Sequence, residues 1–281
     1  MIQSIQDRVK LANGVEMPWF GLGVYKAAEG EEVIGAVRAA LKAGYRSIDT
    51  ASLYQNEVGV GQAIRESGIP RDEIFVTTKV WNTEQGYDET LAAFERSRKR
   101  LGLEVIDLYL IHWPVKEKFL DTWRALETLY KERKVRAIGV SNFNIHHLEA
   151  VMNISDINPM VNQVEFHPFL TQKPLLTFCK EHDIQLEAWR PLTKGEIFTH
   201  PVVQALAKKY GKTPAQIVLR WNLEHRVVTI PKSVREERIQ ENANIFDFHL
   251  SPEDVEALDG LNEDRRLGQN PDSFSFDFYI S

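Results

Sequence analysis

Strand-like and helix-like segments alternate along nearly the whole chain, and this alternation limits the folds that are open to it. Eight short β-rich segments lie at 20–25, 46–50, 74–80, 105–112, 136–141, 160–166, 184–189 and 227–231. Helical segments of about ten or more residues, apolar at helical spacing, occur between them. Such alternation predicts parallel strands joined by crossover helices. Eight units favour a closed (β/α)8 barrel, a TIM barrel, over an open sheet of about five or six strands.

Three stretches fall outside this repeat. Alternating apolar residues flank Asn13-Gly14, a pair typical of type I′ turns, which predicts a small N-terminal β-hairpin. Segment 191–200 is an irregular insert, and the tail 262–281 is irregular and aromatic, so we expect a C-terminal loop over the barrel. Nothing in the sequence resembles an interdomain linker. The whole of 1–281 is therefore predicted to be a single domain, since such barrels run to about 250 residues.

Charge and cysteine content argue against several kinds of partner. The net charge is −6 and the pI about 5.8, so the chain has no general attraction to nucleic acid. A single cysteine, Cys179, excludes an intrachain disulfide and suits a reducing compartment. The sequence shows neither a signal-peptide core nor an apolar run approaching about 18–20 residues. We expect a monomeric cytoplasmic protein with no membrane partner.

Ionisable side chains stand at the carboxyl ends of consecutive predicted strands. Asp49 ends the second strand, Lys79 the third and His112 the fourth, while Tyr54 lies in the loop after the second. These ends meet at one rim of a barrel, where the chemistry of TIM barrels occurs. An ammonium near Tyr54 should lower the pKa of the phenol and make it a better proton donor. A structural salt bridge and a satisfied histidine are the alternatives, but four converging groups favour catalysis.

The sequence around these residues resembles the aldo-keto reductase superfamily. The resemblance rests on GYRSIDTASLYQNEVGVG, TTKVW, LYLIHWP, AIGVSNF, NQVEFHP and IPKSVREERIQEN, which occur in order over most of the chain. It implies that Tyr54 protonates a carbonyl oxygen as hydride arrives from NADPH. It also implies that Lys79, held by Asp49, tunes Tyr54, and that His112 orients the carbonyl. Donors already aimed at a developing negative charge suit this chemistry.

The phosphate-binding signal is not the one expected of a Rossmann fold. The stretch GLGVYK begins like G-x-G-x-x-G at Gly21 and Gly23, but Lys26 stands where the third glycine should be. The two glycines are better explained by close backbone packing at a strand end. No metal-ligand motif is present either.

Basic residues follow the eighth predicted strand, where TIM barrels commonly bind phosphate at a helix start. By themselves they would be read as a solvated, charged helix start. The resemblance implies that they hold NADPH: the adenosine 2′-phosphate by Lys232, Ser233 and Arg238, and the adenine by Glu241 and Asn242.

The nicotinamide end of the cofactor also has candidates. The resemblance implies that Ser141, Asn142 and Gln163 bind the carboxamide, a task suited to amides and hydroxyls. Without the resemblance, these three residues could equally well be interpreted as polar caps at strand ends. Trp189 offers a face for the ring, and Arg190 replaces the serine common in relatives. We include Arg190 as a cofactor-binding candidate. Its side chain could lie near the pyrophosphate of NADPH, or it could point away and leave only the backbone to contribute.

Aromatic residues near the strand ends predict a small-molecule pocket. The substrate-binding candidates are Trp19, Tyr25, Trp81, His112 and Trp113. Core filling is the alternative for the tryptophans.

The predicted function is NADPH-dependent reduction of small aldehydes and ketones, of the glyoxal and methylglyoxal type. One alternative is reduction of a keto-sugar acid such as 2,5-diketo-gluconate. An acidic substrate of this kind would need a cationic side chain in the loops, and the candidates are Lys116, Lys118 and Arg265. Another is a nucleotide-binding regulatory barrel without turnover, which the four retained catalytic positions argue against.

Overall fold

The computed structural model describes residues 1–275, which begin with an antiparallel hairpin of β1 (Arg8–Lys10) and β2 (Glu16–Pro18). This confirms the predicted hairpin. The predicted type I′ turn is wrong, because it requires positive φ at both central residues and only Gly14 has it, at 86°. Asn13 forms a hydrogen bond outside the hairpin instead: its side-chain Nδ2 donates to the carbonyl oxygen of Arg136 at 2.9 Å.

Eight parallel strands form the centre of the structure, and each pairs with the next along the chain. They are β3 (Leu22–Gly23), β4 (Ser47–Asp49), β5 (Phe75–Val80), β6 (Ile106–Ile111), β7 (Val135–Ser141), β8 (Val161–Glu165), β9 (Gln185–Trp189) and β10 (Val228–Thr229). Parallel bridges from Phe20 to Thr229 and from Gly23 to Lys232 bring the first and last strands together. The predicted (β/α)8 barrel is confirmed, and the Rossmann fold is excluded.

The glycines of the first strand are required by this closure. A Cβ on Gly23 would lie 3.0 Å from the carbonyl oxygen of Ile230, and one on Gly21 would lie 2.9 Å from Ser47. A larger residue would push the first strand away from its neighbours. The interpretation of these glycines as close-packing positions is confirmed.

Ten helices are found in the described part of the chain. They are α1 (Glu31–Lys42), α2 (Glu57–Glu66), α3 (Tyr87–Leu101), α4 (Phe119–Lys131), α5 (Ile145–Met152), α6 (Lys173–Glu181), α7 (Pro201–Tyr210), α8 (Pro214–Glu224), α9 (Glu236–Ala243) and α10 (Pro252–Asp259). Their apolar faces pack against the barrel; in α1, for example, Val33, Val37 and Ala40 are fully buried at helical spacing. None of these helices combines the length and apolar character needed to cross a membrane.

The irregular segments lie at the carboxyl ends of the strands. The insert contains a 3₁₀ segment, Thr193–Thr199, and Lys194 in it has positive φ. The tail after α10 returns to this end, because the backbone N–H groups of Leu267 and Gly268 donate to Glu165 at the end of β8. The predicted loop over the barrel is therefore present as far as 275, and the remainder of that prediction, 276–281, lies outside the described residues.

Candidate active site

Four side chains predicted from the strand ends meet at one point of the rim. Lys79 donates from Nζ to Asp49 Oδ1 at 2.6 Å, to the carbonyl oxygen of Thr50 at 3.0 Å and to the Tyr54 hydroxyl at 3.4 Å. The His112 ring packs edge-on against Tyr54, with 5.8 Å between ring centroids. Tyr54 is brought here by a short 3₁₀ turn, Ser52–Tyr54, that follows β4.

Burial dominates the electrostatics of this cluster. It raises the pKa of Tyr54 to about 12, and the nearby ammonium of Lys79 offsets only part of that rise. The expectation that Lys79 gives Tyr54 a lowered pKa is therefore wrong, because desolvation of the phenolate outweighs the ion pair. Burial by itself lowers the pKa of Lys79, but Asp49 and Tyr54 raise it above its ordinary value. Burial, reinforced by Lys79, lowers the pKa of His112 well below its ordinary value, so the imidazole is neutral.

The cluster opens into a cavity of about 530 Å³. This volume is in the range of small-molecule sites. Eleven of the predicted site residues line it: Tyr25, Asp49, Tyr54, His112, Trp113, Ser141, Asn142, Gln163, Trp189, Arg190 and Lys232. Sequence reasoning missed Lys26, Leu53, Lys194 and Gly268, which also line it. Lys26 could have been found, since it directly follows Tyr25, whereas the insert and tail positions depend on loop paths that no local pattern fixes.

The amide and hydroxyl candidates are tied into one hydrogen-bonded cluster. Ser141 Oγ donates to the carbonyl oxygen of Gln163 at 2.7 Å, and Asn142 Nδ2 donates to that of His112 at 3.0 Å. Trp189 Nε1 donates to Asn142 Oδ1 at 2.9 Å, which fixes the indole at the edge of the cavity. These hydrogen bonds link residues that line the same cavity as Tyr54.

The residues predicted to bind the adenosine end of NADPH lie just before α9 or on it. Ser233 precedes α9, and Arg238, Glu241 and Asn242 lie on it, all outside the cavity lining. Thr213 donates to Glu241 Oε1 at 2.8 Å, while Asn242 is buried. Lys232 and Arg238 are both exposed. Within 1–275 neither forms an ion pair.

Two of the aromatic candidates do not line the cavity. Trp19 lies with the N-terminal residues Met1 to Lys10, because it precedes β3 and so stands at the amino ends of the strands. The prediction that Trp19 contacts substrate is wrong for that reason. Trp81 packs against His112, which does line the cavity, with ring centroids 5.0 Å apart.

Arg190 is directed at the tail as well as at the cavity. Its Nη1 donates to the carbonyl oxygen of Leu267 at 2.7 Å, and its guanidinium lies 5.3 Å from the centroid of the Trp189 ring. Arg190 therefore holds the tail beside the indole. Of the cations considered for an acidic substrate, Arg265 is paired with Glu196 and Glu263, and it does not line the cavity.

A parallel eight-stranded barrel with these four side chains at its rim defines a class of protein, the (β/α)8-barrel oxidoreductases. A family model described as Aldo/keto reductase family matches residues 19–263, and the chain belongs to this family. It is 60% identical to the glyoxal reductase of Bacillus subtilis (strain 168), over 98% of this chain and 100% of that protein. It is 46% identical to the methylglyoxal reductase DkgA of Salmonella typhimurium, over 95% and 97% of the two chains. The structure of a Gox0644 mutant in complex with NADPH matches with a TM-score of 0.92, 43% identity and coverage of 96% and 99%.

Proposed function

We propose that this protein reduces the carbonyl group of small aldehydes and ketones to an alcohol with NADPH, and that glyoxal and methylglyoxal are substrates. One observation carries the proposal: a buried ammonium, Lys79, lies 3.4 Å from the hydroxyl of Tyr54, which lines the cavity together with His112. The names of the two reductases of known substrate, at 60% and 46% identity, support α-dicarbonyls in particular.

The residues present fit NADPH. Trp189 is held at the cavity wall by its indole hydrogen bond, and its ring is available to the nicotinamide. The exposed Lys232 and Arg238 have no ion-pair partner within the described chain, so an adenosine phosphate would meet two available cations. Arg offers a bidentate fork for such a phosphate.

NADPH supplies the hydride when it is bound. Tyr54 donates its proton to the carbonyl oxygen as negative charge develops there. Because burial disfavours the phenolate, Tyr54 keeps its proton until that charge appears, and Lys79 with Asp49 then stabilises the phenolate. His112, which is neutral, donates a hydrogen bond to the same oxygen and so fixes the orientation of the carbonyl.

The proposal is tested by incubating purified protein with methylglyoxal and either NADPH or NADH, and following the absorbance of the reduced cofactor. We expect loss of absorbance with NADPH, and a much slower loss with NADH. Binding of NADPH without turnover of any aldehyde in a panel would show a nucleotide-binding barrel instead.

Cofactor preference is tested separately by Arg238→Ala. Loss of a charge-assisted contact to the 2′-phosphate should raise the KM for NADPH by about tenfold or more and leave the KM for NADH unchanged. Arg235→Ala is the matched control, because Arg235 is an exposed arginine just before α9 and is paired with Glu237. Equal effects of Arg238→Ala on both cofactors would contradict the assignment of Arg238.

A keto-sugar acid is the second candidate substrate. Lys26 and Lys194 line the cavity and could bind a carboxylate that methylglyoxal lacks. The ratio of kcat/KM for methylglyoxal and for 2,5-diketo-gluconate decides between them.

We also infer that the chain acts as a single-domain monomer in the cytoplasm. The free thiol of Cys179 is buried, as suits a reducing compartment. Sedimentation should give the mass of one chain, 32.3 kDa.

A further inference from the structure

A second buried carboxyl group lies beneath the proposed catalytic residues and has no role in the mechanism above. Glu187 is on β9, two residues before Trp189, so both side chains face the barrel interior. It is fully buried. The charged groups that face it are Asp49 from β4 and Lys79 from β5, and the neighbouring strand β10 contributes only uncharged residues.

Glu187 contacts the site through one residue, Gln163, its direct partner on β8. Gln163 Nε2 donates to Asp49 Oδ2 at 2.7 Å and to Glu187 Oε2 at 2.9 Å. A glutamine amide has two N–H hydrogens and one carbonyl oxygen. Both hydrogens are therefore used by the two carboxyl groups, and only Oε1 is available to a ligand in the cavity that Gln163 lines.

The two carboxyl groups prevent the amide of Gln163 from reversing. Reversal would set its carbonyl oxygen against the Asp49 carboxylate and would take both N–H hydrogens away from these acceptors in a buried site, where unmade hydrogen bonds are costly. Asp49 Oδ2 accepts one amide hydrogen while Oδ1 is bonded to Lys79, and Glu187 Oε2 accepts the other, so each carboxyl group contributes to the orientation. Burial, reinforced by Asp49, raises the pKa of Glu187 to about 8. Gln163 donates to Glu187 Oε2, and Glu187 Oε1 has no partner within residues 1–275.

We propose that Glu187 is a positioning residue that acts through Gln163, orienting its amide so that the carbonyl oxygen receives the carboxamide N–H of the nicotinamide. This rests on the proposed function, since it requires that the nicotinamide lies beside Gln163.

The test measures the NADPH dissociation constant by quenching of tryptophan fluorescence, with kcat and KM for methylglyoxal and the melting temperature of the free protein. Glu187→Leu removes the acceptor, and we expect about a fivefold rise in the NADPH dissociation constant, as for one typical hydrogen bond. We also expect a fall in kcat, because a misplaced nicotinamide reacts more slowly. Glu187→Gln keeps an acceptor and should stay within about twofold of the parent.

A double-mutant cycle with Gln163→Leu tests whether the effect passes through Gln163. Glu187→Leu should have no further effect on NADPH binding when Gln163 is already leucine. Thr77→Val is the matched control, because Thr77 is also buried on a barrel strand and its hydroxyl has no partner in the described chain. It should bind NADPH as the parent does.

Three results would overturn the inference: Glu187→Leu binding NADPH like the parent, Glu187→Gln impaired as much as Glu187→Leu, or an undiminished effect of Glu187→Leu in the Gln163→Leu background. A lowered melting temperature with unchanged NADPH binding would indicate a structural role and would overturn it too. Failure of the unmodified protein to bind NADPH would instead overturn the proposed function, and this inference with it.

Discussion

Lys79 is a lysine whose side chain has no exposed surface. Removing an ammonium from water is costly unless it is paired and hydrogen-bonded. Asp49 at 2.6 Å and the carbonyl oxygen of Thr50 at 3.0 Å provide those partners. The protein thus holds a positive charge 3.4 Å from the Tyr54 hydroxyl, where the proposed mechanism forms a phenolate.

Removing the amine should damage both folding and turnover. Lys79→Met leaves Asp49 buried without a counter-ion, and we expect the free energy of unfolding to fall by about 3–5 kcal/mol. Turnover should be lost as well, because nothing then stabilises the phenolate of Tyr54. Urea unfolding and NADPH oxidation measure the two effects.

The double variant Lys79→Met, Asp49→Asn separates these effects. It removes both charges, so much of the lost stability should return while turnover does not. If the single variant Lys79→Met were as stable as the unmodified protein, Lys79 would not be the group that compensates the buried charge of Asp49.

Two histidines should make the stability of the protein depend on pH. Burial, reinforced by Lys79, holds the pKa of His112 well below its ordinary value. Burial and the neighbouring His146 lower the pKa of His147 to about 4, although Asp272 opposes them. In the unfolded chain both protonate near about 6.5, so below that pH the unfolded state binds more protons and stability falls as pH falls.

We expect the free energy of unfolding to drop between about pH 7 and pH 5, by up to about 1.4 kcal/mol per pH unit for each histidine. His147→Gln should reduce this slope, and urea unfolding across the pH range measures it. A slope unchanged in His147→Gln would show that this imidazole protonates equally in both states.

At the scale of elements, the tail after α10 is built into the mouth of the barrel. Glu165 at the end of β8 accepts from the backbone N–H of Leu267 at 2.6 Å and of Gly268 at 2.9 Å. Arg190 donates to the carbonyl oxygen of Leu267 from the other side. These contacts hold the tail against Trp189. A substitution in the tail should therefore change the affinity for NADPH.

Gly268→Ala tests this connection. A Cβ at this position would lie 2.5 Å from Trp189 Cη2, so the indole must shift. We expect the NADPH dissociation constant to rise about fivefold or more, because a displaced ring loses contact with the cofactor. Fluorescence titration measures the change.

Gly35→Ala is the matched control for this substitution. Gly35 lies within α1, where an added Cβ meets nothing within 4 Å. Cofactor binding should not change, and the helix should gain about 0.5–1 kcal/mol. Equal NADPH binding by Gly268→Ala and Gly35→Ala would show that the tail does not support Trp189.

At the scale of the whole molecule, the sequence predicts the barrel and the four residues at its rim because both depend on local patterns. Asp49 ends β4, Lys79 is the last residue but one of β5, and His112 directly follows β6, at positions where a polar side chain has no packing role. The direction of the Tyr54 pKa shift could not be predicted, because it depends on how much protein covers the phenol. The contact of Arg190 with Leu267 joins residues 77 positions apart, which no local pattern reveals.

The most direct test of the account is the activity of Tyr54→Phe, measured together with its affinity for NADPH. Loss of the proton donor should lower the rate of methylglyoxal reduction by about 10²–10⁴-fold, while NADPH still binds. Tyr87→Phe is the control, because Tyr87 is a partly exposed tyrosine on α3, bonded to Thr128 and away from the cavity. Reduction by Tyr54→Phe at the rate of the unmodified protein would contradict the central claim that Tyr54 donates the proton.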